Sequence, residues 1–75
     1  MDQFSLVQQA IASTFGVDPA EVCLETAQKD IPEWDSVGHL NLMLVLEQTF
    51  GLMFDVETMT QLTSVKAILQ RMELQ

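Results

Sequence analysis

Three residue types that take part in hydrolytic chemistry occur close together at Asp35, Ser36 and His39, within the segment PEWDSVGHLNL of residues 32–42. Asp35 lies where a polar loop gives way to an apolar helical pattern, and an aspartate there can cap the helix by accepting from free backbone N–H groups of the first turn. Ser36 is then the first helical residue, with an exposed hydroxyl near the positive end of the helix dipole. A phosphate ester at this position would be stabilised by about 0.3–1 kcal/mol, so the sequence favours Ser36 as an attachment point.

The same residues allow two other interpretations. Ser36 can be the nucleophile of a small hydrolase, but all three side chains then come from one helix start and none approaches from an opposing wall. The G-x-S-x-G motif is absent, since the local sequence is W-D-S-V-G. Ser36 can also be no more than a second capping residue. We expect no enzymatic activity, and we expect His39 to pack at the edge of the core. A metal is not expected there, because no second ligand is suitably spaced.

Length and charge restrict the class of protein. The 75 residues suffice for a single domain, residues 1–75, and the formal net charge is −8, from eleven acidic residues against Lys29, Lys66 and Arg71. Nine of the eleven acids lie between residues 18 and 57. Such a surface repels nucleic acid and anionic membranes and favours partners with basic patches. The longest strictly apolar run, residues 42–46, is far shorter than the ~20 residues that span a bilayer, so we expect no membrane insertion.

Cysteine usage and the start of the sequence bear on location. Cys23 is the only cysteine, which excludes an internal disulfide and fits a reduced, cytoplasmic setting. We expect Cys23 to be a small buried or half-buried apolar residue. No basic segment followed by an apolar one opens the sequence, so we expect no export signal.

Hydrophobic residues recur at helical spacing in three segments, and residue types that cap helices mark their ends. The first helix is predicted from about residue 3 to 15, the second from Ser36 to Phe50, and the last after Thr63 or Ser64. A short helix before the last one and a helical turn after residue 18 complete the pattern. The predicted caps are Asp2 and Gly16 for the first helix, Asp18 for the turn, Asp35 and Gly51 for the second helix, and Asp55 for the short helix. The predicted fold is all-α, a small bundle of three main helices plus one short helix.

Three segments carry a family resemblance. The residues DSV at 35–37, LEQTFG at 46–51 and LTSVKAIL at 62–69 resemble those of an acyl carrier protein, and the resemblance covers essentially the whole chain. It implies that Ser36 receives 4′-phosphopantetheine from coenzyme A through a separate phosphopantetheinyl transferase. The thiol of that arm would carry an acyl or aminoacyl group as a thioester. An acyl-loading ligase or transferase would load that thiol, and the protein would then present the bound group to enzymes of fatty acid, polyketide or nonribosomal peptide synthesis, so that tethering replaces diffusion.

The resemblance also implies a docking face on the second helix. Helical angles place Val37, Asn41, Leu44 and Gln48 on one stripe, away from the predicted core residues Leu42, Leu46 and Phe50. Asp35 beside the attachment point and Glu47 beside the stripe complete the predicted set. The stripe's polar members are amides, so we expect docking with more apolar and fewer ionic contacts than in strongly acidic carriers. Leu44 is either an exposed docking residue or packed against a neighbouring loop.

Other hydrophobic residues have structural interpretations. We expect Trp34 to anchor its loop on the bundle, although an exposed contact for a partner is the alternative. The predicted role of four methionines is to fill gaps in the core and between helices: Met43, Met53, Met59 and Met72. The carrier is expected to be a monomer. The alternative function is an unmodified, carrier-like helical bundle that acts as a protein-interaction subunit.

Overall fold

Four α-helices account for most of residues 2–73, the part of the chain that this computed structural model describes: α1 (Gln3–Phe15), α2 (Ser36–Phe50), α3 (Val56–Gln61) and α4 (Val65–Glu73). Two 3-10 turns, Pro19–Glu21 and Gln28–Asp30, lie between α1 and α2. The prediction of an all-α bundle with three longer helices and one short one is confirmed. None of the helices in the described range is long and apolar enough to cross a membrane.

Local chemistry explains where the helices begin and end. The carboxylates of Asp2, Asp35 and Asp55 each accept from the backbone N–H three residues on, at 2.8, 2.8 and 2.7 Å, which satisfies a donor that has no partner within the helix. At the start of α4 the cap is Ser64, whose hydroxyl accepts from Ala67 N–H at 3.1 Å. Helix α2 ends at Gly51, whose φ of 67° is left-handed backbone that favours glycine.

The core forms where α1 packs against α2 and α4. Helix α2 contributes Leu42, Met43 and Leu46 to it, and all three are fully buried. Phe50 is partly buried against the same core, as its place on that side of α2 predicts. The loop residue Trp34 is only 2% exposed, and its ring stacks on Phe15 with 5.4 Å between ring centroids. The prediction that Trp34 anchors its loop on the bundle is therefore confirmed.

Backbone hydrogen bonds hold the long loop before α2 against the start of α4. Gln28 N–H donates to the Thr63 carbonyl at 2.8 Å, and Val65 N–H donates to the Thr26 carbonyl at 2.9 Å. The buried Thr26 hydroxyl accepts from Cys23 N–H at 2.9 Å and closes a local turn. That turn leaves Cys23 exposed, so the prediction that Cys23 is buried or half-buried is wrong. Thr26 occupies the buried position of the turn instead.

The methionines divide between core and surface. Met43 and Met72 are buried and Met59 is half-buried, as predicted, but Met53 is 88% exposed. The prediction for Met53 fails because the next residue, Phe54, takes the buried position in the connection between α2 and α3. A side-chain bond from α2 fixes that connection, since the Glu47 carboxylate accepts from Phe54 N–H at 2.8 Å.

Candidate attachment site at the start of α2

The Ser36 side chain is exposed at the first residue of α2. Its hydroxyl makes no hydrogen bond to any other residue in the described part of the chain. The preceding residue fixes the backbone under it: the Asp35 carboxylate accepts from Gly38 N–H, and the Asp35 carbonyl accepts from His39 N–H at 2.8 Å. The site therefore presents a free hydroxyl on a capped helix end, where another protein can reach it.

Close packing of Gly38 sets the position of this helix end, a feature that the sequence analysis missed. A Cβ atom at Gly38 would lie 2.6 Å from the backbone carbonyl oxygen of Glu33 and 2.8 Å from Cε1 of Phe15. Real Cβ atoms do not approach other atoms so closely, so only glycine lets the first turn of α2 lie against both the preceding loop and α1. Sequence patterns give little warning of this, because the contact involves a residue 23 positions away.

The His39 imidazole is half-buried one turn after Ser36, and both of its nitrogens have partners. Trp34 Nε1–H donates to Nδ1 at 2.9 Å, and Nε2–H donates to the Met59 carbonyl at 2.6 Å. The Trp34 and His39 rings also stack, with centroids 6.1 Å apart. The prediction that His39 packs at the edge of the core is therefore confirmed. These bonds leave neither nitrogen to take a proton from Ser36, so the geometry does not assemble a Ser–His–Asp triad.

An open groove of about 390 Å³ lies beside Ser36, between α2 and α3. Its walls are largely apolar, with Leu40 on the α2 side and Val56 and Met59 on the α3 side. The full lining is Gln28, Ser36, His39, Leu40, Val56, Met59, Thr60 and Thr63. His39 is the only ionisable residue among them. A flexible group attached to Ser36 would have this groove within immediate reach.

The predicted docking stripe is on the surface. Val37 and Leu44 are 68% and 54% exposed, and Asn41 and Gln48 are exposed beside them. The exposure of Leu44 decides against its packing on a neighbouring loop. Whether these residues, or the exposed Asp35, contact a partner stays a prediction.

Glu47 differs from the other residues predicted for docking. It is half-buried, and its carboxylate accepts from Phe54 N–H. A carboxylate that already accepts from the protein's own backbone has less hydrogen-bonding capacity left for a partner than a free carboxylate has. Its contribution to docking stays a prediction, and its structural contribution is to hold the connection between α2 and α3.

Three exposed hydrophobic residues extend the apolar surface beyond the predicted stripe. Leu40 is 57% exposed on α2, and Met53 and Val56 are 88% and 77% exposed near the start of α3. Leu40 was within reach of sequence reasoning, because it precedes Leu44 by four residues and so shares its side of the helix. The exposure of Met53 and Val56 depends on how the connection folds, which no local pattern reveals.

Electrostatic features near the groove are few. Hydrogen bonding from the Thr58 side chain, and then from its backbone N–H, lowers the pKa of the Asp55 carboxyl at the start of α3. The ionised form of Asp55 is thereby favoured as the cap of that helix. No group of three or more His, Cys, Asp or Glu residues within residues 2–73 is placed to hold a metal ion.

No protein-family model matches the chain, and no curated protein matches it. An assignment of function therefore depends on the residues of the chain and on the geometry around Ser36.

Proposed function

We propose that this protein is an acyl or peptidyl carrier protein that holds a 4′-phosphopantetheine arm on Ser36. The observation that carries the proposal is the exposed Ser36 hydroxyl, free of hydrogen bonds within the described chain, on the first residue of a capped helix beside an open apolar groove. The segments that resemble acyl carrier proteins support the same function. When bound, the arm would supply a flexible thiol on which an acyl or aminoacyl group is carried as a thioester.

Attachment requires a separate phosphopantetheinyl transferase and coenzyme A. In that reaction the Ser36 oxygen bonds to the phosphorus next to pantetheine, the pyrophosphate bond of coenzyme A breaks, the adenosine bisphosphate leaves, and the serine proton passes to the transferase. The chain's own residues contribute position and charge. The Asp35 cap fixes the first turn of α2, and the positive end of the helix dipole favours the phosphodiester by about 0.3–1 kcal/mol.

An acyl-loading ligase or transferase would load the modified protein, which would then meet the downstream enzymes as a cytoplasmic monomer. The docking face consists of Val37, Asn41, Leu44 and Gln48, flanked by Asp35 and Glu47, and Leu40 extends it. Because its exposed centre is apolar and Glu47 is engaged by Phe54, association with a partner should weaken only mildly as salt is added. A steep salt dependence that Glu47→Gln removes would contradict an apolar docking face.

The test is intact-mass measurement of the purified protein after incubation with coenzyme A and a phosphopantetheinyl transferase of broad specificity. We expect the mass to rise by one phosphopantetheine group. Ser36→Ala should abolish the increase, and the matched control Ser13→Ala should retain it, because Ser13 is an exposed serine on α1, far along the chain from the site. A chain that stays unmodified, or a Ser36→Ala variant that is still modified, would refute the proposal.

An unmodified interaction subunit is the second candidate, because the apolar face around Leu40, Leu44 and Val56 needs no arm in order to bind a protein. The two functions separate in the Ser36→Ala variant. A carrier loses its contribution to biosynthesis when the hydroxyl is removed, whereas an interaction subunit keeps it. The hydrolase interpretation would require ester cleavage that His39→Ala abolishes, and the partners of both His39 nitrogens argue against it.

A further inference from the structure

Helix α3 is held less firmly than the other helices. It has six residues, Val56–Gln61, and none of them is buried. The residues that insert into the core are Phe54 and Leu62, which flank it. Within residues 2–73, the side-chain hydrogen bond that joins α2 to α3 itself is the one from His39 Nε2–H to the Met59 carbonyl, at 2.6 Å. One imidazole therefore carries the polar connection across the groove beside Ser36.

The partners of that imidazole fix its protonation state. An indole N–H can only donate, so His39 Nδ1 must accept from Trp34 Nε1–H. A backbone carbonyl can only accept, so Nε2 must carry the proton that points to Met59. Both bonds form together only in the neutral imidazole with its proton on Nε2. The Trp34 ring is held in place by its burial and by stacking on Phe15, so it cannot easily turn away.

We propose that His39 is a proton-sensitive latch that holds α3 against α2 and fixes the α3 wall of the groove beside Ser36. A protonated imidazole has an N–H on both nitrogens, so Nδ1–H would face the Trp34 N–H across 2.9 Å with no acceptor between them. Turning the ring relieves this contact between two donors, and it also breaks the bond to the Met59 carbonyl. The α3 wall of the groove, which includes Val56 and Met59, is then released.

Other ionisable groups lie on the elements around His39. Helix α1 has no charged residue between Gln3 and Phe15, and His39 is the only ionisable residue in the groove lining. Asp35, which caps α2, accepts from Gly38 N–H, and Glu47 on α2 accepts from Phe54 N–H. The other charged groups near His39 are Asp55 and Glu57 at the start of α3, and Lys29, Asp30 and Glu33 in the loop that leads to Trp34. Because hydrogen bonding from Thr58 lowers the pKa of the Asp55 carboxyl, this carboxylate stays ionised and keeps capping α3 between about pH 8 and about pH 5.

The latch does not depend on modification of Ser36, so the unmodified chain is the material for its test. The chain has one tryptophan and one histidine, which give one indole N–H resonance and one imidazole in a ¹⁵N-labelled sample. We expect the imidazole nitrogens at high pH to show the Nε2–H form. Between about pH 8 and pH 5, the indole resonance and the α3 amides should shift together with the imidazole. Hydrogen exchange of the α3 amides, relative to amides of α1 in the same sample, should rise roughly fivefold to tenfold, as expected for loss of one hydrogen bond.

Two variants separate the latch from a general effect of acid. His39→Gln keeps an acceptor and a donor in its amide but does not titrate, and Trp34→Phe removes the donor that opposes protonation. Both variants should lose the pH-dependent step at α3, and either one suffices if the other fails to fold. The latch is wrong if the imidazole has its proton on Nδ1, if it titrates without moving the indole and α3 resonances, if it stays neutral to about pH 5, or if either variant keeps the α3 step.

Discussion

Replacing Gly38 with alanine would put a methyl group where the structure leaves no room. The new Cβ would be 2.6 Å from the Glu33 carbonyl oxygen and 2.8 Å from the buried Phe15 ring. The φ of Gly38 is not positive, so its backbone suits alanine and the cost arises from the contacts alone. The Glu33 oxygen belongs to the backbone and cannot rotate away as a flexible side chain would, so the first turn of α2 must shift.

Two effects of the substitution oppose each other. Alanine improves helix propensity by about 0.8–1 kcal/mol relative to glycine, whereas overpacking a well-packed site costs about 1–3 kcal/mol. Because two neighbours are approached at once and one of them is backbone, we place the cost in the upper half of its range. The expected net loss is about 1–2 kcal/mol in the free energy of unfolding, or about 4–16 °C in melting temperature for a chain of this size.

Urea denaturation and thermal melting followed by circular dichroism measure this loss. The matched control is Asn41→Ala, an exposed position on the same helix where only propensity changes. It should be neutral or slightly stabilising, by at most about 0.7 kcal/mol. The Gly38→Ala variant should also be modified on Ser36 more slowly than the wild type, because the shifted turn carries that hydroxyl. A Gly38→Ala protein as stable as the wild type, or more stable, would refute the packing argument.

Three further outcomes follow from the same geometry. Asp35→Ala removes the carboxylate that accepts from Gly38 N–H, so urea denaturation should show that the free energy of unfolding falls by about 1 kcal/mol. Asp35→Asn should lose much less, because asparagine also caps helices. Because hydrogen bonding from Thr58 lowers the pKa of Asp55, this carboxylate stabilises the fold above its unfolded-state pKa. That contribution is lost as pH falls through the lowered native-state pKa. Melting temperature in acid should therefore fall less steeply in Asp55→Asn, which still caps α3, and an unchanged slope would contradict the assignment. Leu44→Ser should alter stability by no more than about 0.5 kcal/mol yet slow loading by a partner enzyme several-fold, and equal loading rates would remove Leu44 from the docking face.

Features set by local chemistry were predictable from the sequence. An aspartate accepting from a backbone N–H three residues on needs no long-range contact, which is why Asp2, Asp35 and Asp55 identified their helices correctly. The glycine that ends α2 follows the same logic. The core side of α2 was also predictable, since Leu42 and Leu46 follow from helical periodicity alone.

Features that depend on distant partners were not predictable. The two bonds of His39 join a loop, α2 and α3, and nothing in the residues beside it indicates the Met59 carbonyl twenty positions away. An apolar residue such as Met53 is expected in the core, but its neighbour Phe54 takes the buried position and Met53 is left exposed. The error at Cys23 has a local origin instead, because a hydrogen bond from its N–H to the Thr26 hydroxyl closes a turn that leaves Cys23 exposed.

Mass spectrometry of the protein isolated from the cells that make it tests the central claim most directly. Digestion should yield a peptide containing Ser36 that carries one 4′-phosphopantetheine group, with or without an acyl or aminoacyl thioester on its thiol. The mass of that thioester would also identify the cargo. A functional protein isolated with an unmodified Ser36, or with the group on another residue, would contradict the account.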